Sequence, residues 1–244
     1  MKIIPLSEGQ FTIDKTKEFI PFDEKQHELQ NRPVGSLLVE VQPFVVVTKK
    51  DILLFDTGLG FSKNGVLQLH QNLNDVGINS TEITKVLFSH LHKDHAGAIT
   101  KKEDKTKLSF PNATYFVQQK ELEYALQKTS PSYLLEELEL LKSSSQVCLL
   151  NEYEGVIDNH ISYQLTAAHS SFHQVFWVRE EDEIVFFGGD VAPQLQQMKH
   201  RFIAKYDLDG RKAMELRKQW WAQGEKEKWT FLFYHDIKNP VWRF

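Results

Sequence analysis

A short run of histidine and aspartate side chains is the densest group of potential metal ligands in the sequence. Four such residues fall within six positions of Ser89-His90-Leu91-His92-Lys93-Asp94-His95-Ala96-Gly97. Residues two apart in an extended segment point to the same side, so His90 and His92 can bind one ion. Asp94 and His95, where the chain turns, can reach a neighbouring position. The spacing fits two adjacent metal ions better than one, and a metal with an open coordination position lowers the pKa of a bound water to about 7.

A histidine-rich surface turn is the simpler alternative for this segment. We do not favour it, because the segment directly follows the apolar run Val86-Leu87-Phe88, which is typical of a buried strand. A surface turn also has no reason to alternate histidines. An isolated histidine, by contrast, is usually structural or exposed. We therefore predict no metal-binding role for His27, His70, His160 and His200.

The pattern His-x-His-x-Asp-His resembles the hallmark of the metallo-β-lactamase superfamily, and the resemblance extends over most of the chain. Asp56-Thr57-Gly58 looks like the family's turn that supports the metal-binding loop. Residues 166–173 resemble the segment Thr-Pro-Gly-His-Thr-x-Gly-His, with alanines in place of its proline and first glycine. Gly188-Gly189-Asp190 is similar to the segment that supplies a bridging carboxylate, and Tyr234-His235-Asp236 to the one that supplies the last histidine.

This resemblance implies a binuclear metal centre. The first metal would be held by His90, His92 and His169, the second by Asp94, His95 and His235, and Asp190 would bridge the two. His173 would support the loop that carries His169 rather than bind a metal. Zinc suits this mixture of imidazoles and carboxylates best, with manganese, iron or cobalt as alternatives.

Within the superfamily, the sequence of the histidine motif resembles that of the homoserine lactonase and methyl-parathion-hydrolase-like groups, which hydrolyse lactones, esters and organophosphates. The implied reaction is attack on a lactone or ester by a hydroxide that both metals share, with Asp190 catalytic through the bridge. Asp94 would orient the hydroxide and move a proton. The best-known lactonases carry a tyrosine where this chain has Pro193. Tyr206 is the candidate catalytic replacement for it, and a structural role is the alternative.

Other functions stay open at this stage. Persulfide dioxygenases share the fold but hold one iron, so metal analysis separates them from a binuclear hydrolase. A phosphodiesterase or phosphotriesterase of the same fold is the second alternative, and a non-catalytic binding protein is the third. Pocket walls would come from 10–35, 60–66 and 193–208, whose aromatic residues indicate an apolar small-molecule substrate.

Composition narrows the class of protein. The 244 residues are 41% hydrophobic and 25% charged, which is typical of a folded globular enzyme. A net charge of -4 disfavours nucleic acid as a partner, and no apolar run approaches the roughly 20 residues of a membrane helix. Cys148 has no second cysteine to pair with, which favours the cytoplasm. Trp220, Trp221 and Trp242 belong either to the core or to a homodimer surface.

The elements that must position these residues alternate between strands and helices, which predicts an α/β fold, a four-layer αββα sandwich formed by residues 1–244 as a single domain. Strands are predicted in 36–56 as a hairpin and at 86–88, 161–165, 175–178, 184–187 and 230–234. Helices are predicted over 63–76, 118–128, from Ser130-Pro131 onward, and over 209–221 with Gly224 beyond the end. The candidate ligands then lie just after strands, where such folds place their chemistry.

Overall fold

The fold is known from a computed structural model, which describes residues 1–128 and 130–244. In these ranges the strands are Lys2–Pro5 (β1), Gly9–Ile13 (β2), Ile20–Phe22 (β3), Leu37–Val41 (β4), Phe44–Val47 (β5), Ile52–Phe55 (β6), Ser62–Lys63 (β7), Val66–Leu67 (β8), Lys85–Leu87 (β9), Thr114–Gln118 (β10), Val147–Leu150 (β11), Glu154–Ile157 (β12), Ile161–Leu165 (β13), Gln174–Glu180 (β14), Glu183–Phe187 (β15), Thr230–Leu232 (β16) and Val241–Arg243 (β17). The helices are Gln68–Asp75 (α1), Gln119–Leu126 (α2), Leu135–Ser143 (α3), Leu195–Lys199 (α4) and Gly210–Glu227 (α5).

Two six-stranded sheets form the centre of the molecule. The first has the order β1-β5-β6-β9-β10-β11, and the second has the order β12-β13-β14-β15-β16-β17. The strands from β6 to β11 in the first sheet are parallel. In the second sheet β15 and β16 are parallel, and β13 runs in the same direction because β14 is antiparallel to both β13 and β15. A smaller sheet, β3-β2-β4, adjoins these strands.

Alternating side chains divide the interior into three apolar layers. Along β6, Leu53 and Phe55 face the second sheet, whereas Leu54 faces helices α1, α2 and α3. Along β15, Phe187 faces the first sheet and Phe186 faces α4 and α5, where it packs on Trp220 with 4.9 Å between ring centroids. Helices therefore cover both outer faces of the paired sheets, which confirms the predicted αββα sandwich.

Several predicted elements are confirmed, including the β5–β6 hairpin and the strands predicted at 175–178 and 184–187, which pair as β14 and β15. The prediction that a helix begins near Lys63 is wrong. Residues 62–67 instead form the β7–β8 hairpin, in which Gly65 has a φ of +79°, and α1 begins at Gln68. The Ser130-Pro131 helix start is also wrong, because Ser130 Oγ accepts a hydrogen bond from the N–H of Ser132 and α3 begins only at Leu135.

The end of α5 differs from the prediction as well. Asp209 caps the helix as expected, accepting a hydrogen bond from the N–H of Lys212. Gly224, however, lies inside the helix, where an added Cβ would come within 2.4 Å of the Phe231 ring. The glycine lets α5 approach β16 closely. The helix ends instead at Glu227, and the next residue, Lys228, has a φ of +60°.

The three tryptophans have different surroundings. Trp220 is buried in the outer core, which confirms the core assignment for that residue. Trp221 and Trp242 are half-buried and pack together with 6.1 Å between ring centroids.

A search of the helices in the described ranges found none with the length and apolar character needed to cross a membrane.

Candidate metal centre

Five loops that follow strands converge at one edge of the two sheets. The first sheet contributes the loops after β6 and β9, and the second sheet contributes the loops after β13, β15 and β16. Because these strands run in the same direction within each sheet, their carboxyl ends meet at a common edge. This topology brings together all seven side chains that the sequence predicted as ligands.

The first group contains His90, His92, His169 and Asp190, and one nitrogen or oxygen from each lies within 4.8 Å of the others. His90 Nε2 is 2.9 Å from His92 Nδ1, which is in turn 3.3 Å from His169 Nε2. His92 thus presents Nδ1 to the group, whereas His90 and His169 present Nε2. The alternation of an extended segment aims His90 and His92 to one side, as predicted.

The second group contains Asp94, His95 and His235. Asp94 Oδ2 lies 3.6 Å from His95 Nε2 and 3.5 Å from His235 Nε2. All three side chains are buried. Their potential ligand atoms face one another, so they can hold a second ion beside the first.

Asp190 lies between the two groups and presents one carboxylate oxygen to each. Its Oδ1 is 3.1 Å from His95 Nε2 and 3.0 Å from His235 Nε2. Its Oδ2 is 3.2 Å from His169 Nε2 and 3.9 Å from His90 Nε2. A carboxylate in this position is able to bridge two ions.

The donor set fits two divalent metal ions. Five imidazoles and two carboxylates converge, a mixture that suits zinc and similar first-row metals. His95 Nε2 and Asp190 Oδ1 are buried and lie 3.1 Å apart, but they form no hydrogen bond with each other or with any other residue in 1–128 or 130–244. Such atoms are costly to bury unless another partner satisfies them. A cation between the two groups would be that partner.

The electrostatics of the cluster favour neutral imidazoles at His90 and His92 and an ionised carboxylate at Asp190. Burial and the neighbouring imidazoles hold the pKa of His90 well below its usual value. Burial alone would raise the pKa of Asp190, but the imidazoles of His95, His235 and His169 outweigh it and hold that pKa well below its usual range. Neutral imidazole and ionised carboxylate are the forms that bind metals.

Asp56 supports the metal-binding loop from below, as the sequence resemblance implied. Its carboxylate accepts hydrogen bonds from the backbone N–H and the hydroxyl of Ser89, both at 2.7 Å. The same carboxylate lies 2.7 Å from His95 Nδ1, which leaves His95 Nε2 facing Asp190. Contacts of this kind fix the orientation of a ligating imidazole.

Close backbone packing locks the two loops of the first sheet together. The N–H of Gly97 donates to the carbonyl oxygen of Gly58 at 2.8 Å, and a Cβ on Gly97 would lie 2.3 Å from the carbonyl carbon of Leu59. Buried Glu8 holds the same turn by accepting a hydrogen bond from the Leu59 N–H at 2.6 Å. Burial raises the pKa of Glu8 to about 8.

His173 lies under Asp190. Its Nε2 accepts a hydrogen bond from the backbone N–H of Asp190 at 3.1 Å, and its Nδ1 is 3.2 Å from Thr166 Oγ1. Gly189 permits this approach, since an added Cβ would lie 2.7 Å from His173 Nε2. Both nitrogens of His173 are therefore engaged, in agreement with a supporting role.

Tyr206 lies beside the first group, with its ring centroid 6.0 Å from that of His169. Its hydroxyl accepts a hydrogen bond from Gln197 Nε2 at 3.1 Å. Burial raises the pKa of Tyr206 to about 12, so the phenol stays protonated at neutral pH. The tyrosine is close enough to the cluster to act on a bound molecule or to support His169.

Three charged residues that support the loops of the candidate ligands were not predicted from the sequence. Asp207, whose side chain is buried, places Oδ1 3.1 Å from His169 Nδ1. Glu121 on α2 accepts a hydrogen bond at 3.1 Å from the N–H of Leu91, between His90 and His92. Arg217 on α5 is 1% exposed and donates to the carbonyl oxygens of Val191 at 2.8 Å and Phe202 at 2.6 Å. Asp207 and Glu121 carry no local sequence pattern, whereas Arg217 shares the buried face of α5 with Ala213 and Trp220.

The sequence matches the metallo-beta-lactamase superfamily over residues 39–220. This range covers most of the chain and contains six of the seven predicted ligands, all except His235. The chain therefore belongs to the metallo-beta-lactamase superfamily.

Individual relatives are similar over shorter stretches or at lower identity. The N-acyl homoserine lactonase AttM of Agrobacterium fabrum is 31% identical over 112 residues, which cover 43% of this chain and 39% of that protein. A probable metal-dependent hydrolase from Staphylococcus aureus has a similar fold, with a TM-score of 0.79 and 19% identity over 99% of this chain and 91% of its own. AidC, a dizinc quorum-quenching lactonase crystallised with a product, N-hexnoyl-L-homoserine, has a TM-score of 0.73 and 18% identity over 98% of this chain and 88% of its own.

Proposed function

We propose that this protein is a metal-dependent hydrolase that uses two divalent ions, most suitably zinc, to cleave a lactone or an ester. The observation that carries the proposal is the position of Asp190, with one carboxylate oxygen toward each ligand group. The first ion would be bound by His90, His92 and His169, and the second by Asp94, His95 and His235. Ions held there would supply Lewis-acid catalysis and a water of lowered pKa.

The remaining steps fall to side chains at the edge of the cluster. The carboxylate of Asp94, 3.5 Å from His235 Nε2, would accept the proton of the attacking water and return it to the leaving oxygen. The protonated hydroxyl of Tyr206 can donate a hydrogen bond to a carbonyl oxygen of a substrate beside His169.

The second ligand group favours hydrolysis over single-iron persulfide chemistry, because Asp94, His95 and His235 form a complete second binding position. The similarity to lactonases supports a lactone or ester as substrate, and the dizinc state of AidC supports zinc. The net charge of -4 supports a small molecule rather than a nucleic acid. We further propose that residues 1–244 form a single domain and that the protein acts in the cytoplasm. Light scattering would test whether it forms a homodimer.

The test is pH-stat hydrolysis of N-decanoyl homoserine lactone by zinc-reconstituted protein, beside a chelated control and the Asp190→Ala variant. We expect chelator-sensitive acid release and two equivalents of bound zinc. A single bound iron with persulfide oxidation would contradict the proposal. So would hydrolysis of bis-4-nitrophenyl phosphate without hydrolysis of lactones or esters, which would instead indicate a phosphodiesterase.

A further inference from the structure

An apolar groove of about 430 Å³ opens beside the metal cluster. It is lined by Glu18, Phe19, Ile20, Pro21, Leu59, Phe61, Lys93 and Leu134. Two chain connections place it next to the cluster. Lys93 lies between His92 and Asp94, and Leu134 follows Tyr133, whose ring centroid is 5.2 Å from that of His92. Several of the predicted pocket-wall residues in 10–35 and 60–66 therefore line this groove.

The groove contains a cation without a charged partner. Lys93 is half-buried, and its backbone N–H donates to the carbonyl oxygen of Ser132 at 2.8 Å, which fixes the start of its side chain. Its ammonium forms no ion pair within 4.0 Å in the parts of the chain that the structure describes. An ammonium that has lost part of its hydration in apolar surroundings gains from an anionic partner.

The nearby charges leave this cation uncompensated. Glu18 also lines the groove, but it is exposed and keeps its hydration. Lys17, next to it in sequence, is half-buried and carries a positive charge that offsets the charge of Glu18. The other groove-lining residues are apolar, and no carboxylate of the described residues lies within 4.0 Å of the Lys93 ammonium.

We propose that Lys93 binds a carboxylate on the acyl part of the substrate, so that the preferred lactone or ester carries an apolar chain with an anionic end. This inference rests on the proposed hydrolase function. A single ammonium is a compact point charge without the paired donors of a guanidinium, and one such charge balances a monoanion such as a carboxylate. The apolar wall formed by Phe19, Phe61 and Leu134 would contact the chain between the ester and the carboxylate.

The experiment compares two esters of the same six-carbon chain, 4-nitrophenyl hexanoate and mono-4-nitrophenyl adipate, with the zinc-loaded enzyme. We expect wild type to prefer the charged ester in kcat/KM by about tenfold, which corresponds to one charge-assisted contact. Lys93→Met should abolish this preference, mainly through KM, whereas Lys93→Arg should keep most of it. The preference should also shrink in 0.5 M NaCl, because salt screens the partly exposed charge.

The control variant is Lys50→Met, which removes an exposed lysine from the hairpin turn between β5 and β6 and should leave both esters unaffected. Zinc content and melting temperature are measured for each variant, and Lys93→Gln serves if the methionine variant binds less zinc. Hydrolysis of both esters without a charge preference would overturn this inference alone, as would a preference that survives Lys93→Met. If neither ester nor N-decanoyl homoserine lactone is hydrolysed, the proposed function itself fails.

Discussion

Arg217 Nη1 lies 2.8 Å from the carbonyl oxygen of Val191, the residue that directly follows Asp190. The same guanidinium donates through Nη2 to Phe202, in the segment that leads to Asp207. One buried cation on α5 therefore holds both the loop with the bridging carboxylate and the loop that orients His169. Burial disfavours the charged guanidinium and lowers the pKa of Arg217, although the nearby charge of Asp207 opposes this shift.

Replacing this side chain should destabilise the fold. Arg217→Met removes the guanidinium donor from a buried carbonyl oxygen at Val191 and a part-buried one at Phe202, and we expect it to lower the free energy of unfolding by about 3 kcal/mol. Urea denaturation followed by tryptophan fluorescence measures the change. Arg211→Met, at an exposed position of the same helix, should shift it by less than about 0.5 kcal/mol. Equal stability of the two variants would show that the guanidinium does not hold the loops.

Asp207 should tune metal affinity without itself touching the metal. Because its carboxylate fixes the Nδ1 side of His169, Asp207→Asn should weaken zinc binding by about tenfold or more. Competition with a chromophoric chelator gives the affinity of each site. The matched control is Asp182→Asn, an exposed position on the β14–β15 turn. Unchanged affinity in Asp207→Asn would remove Asp207 from the support of the centre.

Loss of the bridging carboxylate should abolish turnover but leave the protein folded. We expect Asp190→Ala to reduce kcat/KM for the lactone by at least about 100-fold, because one ligand is lost from both metal positions. The fold should persist, since His173 accepts its hydrogen bond from the backbone N–H of residue 190 and not from the side chain. Circular dichroism checks the fold. Full activity in this variant would contradict the proposed role of Asp190 as a ligand of both metals.

Glu8 should make the metal-free protein less stable as the pH rises. Burial raises its pKa from 4.5 to about 8, so the native state binds more protons than the unfolded state between these values. The contribution is fully present below pH 4.5 and is lost as the pH rises through 8. Glu8→Gln stays neutral, and its unfolding free energy should fall less steeply than that of wild type, by more than about 1 kcal/mol between pH 5 and 8.

Urea titrations of chelator-treated protein across that pH range give both slopes. Glu136→Gln, on the exposed face of α3, should retain the wild-type slope. Parallel curves for wild type and Glu8→Gln would mean that the carboxyl of Glu8 ionises in the native state as readily as in the unfolded chain.

The features that could be predicted from the sequence are those that arise from residues close together in the chain. His90, His92, Asp94 and His95 share one short motif after a strand, and their placement follows from strand alternation and a single turn. The layers of the sandwich follow similarly from apolar runs. Partners that meet only in the folded state were missed, because the pairing of Asp207 with His169 depends on how two separate loops pack.

The burial of Arg217 could have been predicted from its position in the helix. It lies four residues after Ala213 and three before Trp220, on the buried stripe of α5. An arginine on an apolar face has to find acceptors, and here they are backbone carbonyls that no periodicity specifies. The β7–β8 hairpin was missed for a different reason: its two-residue strands are too short to show alternation, and only Gly65 marks the turn.

Each ligand group draws on both halves of the chain. His90 and His92 follow a strand of the first sheet and His169 a strand of the second, while His95 and His235 are divided in the same way. A chain cut between β11 and β12 would give two fragments with one large sheet each, and neither fragment would contain a complete group. Zinc uptake would therefore report the reassembly of such fragments, and the ions would act as a reversible cross-link between distant parts of the polypeptide.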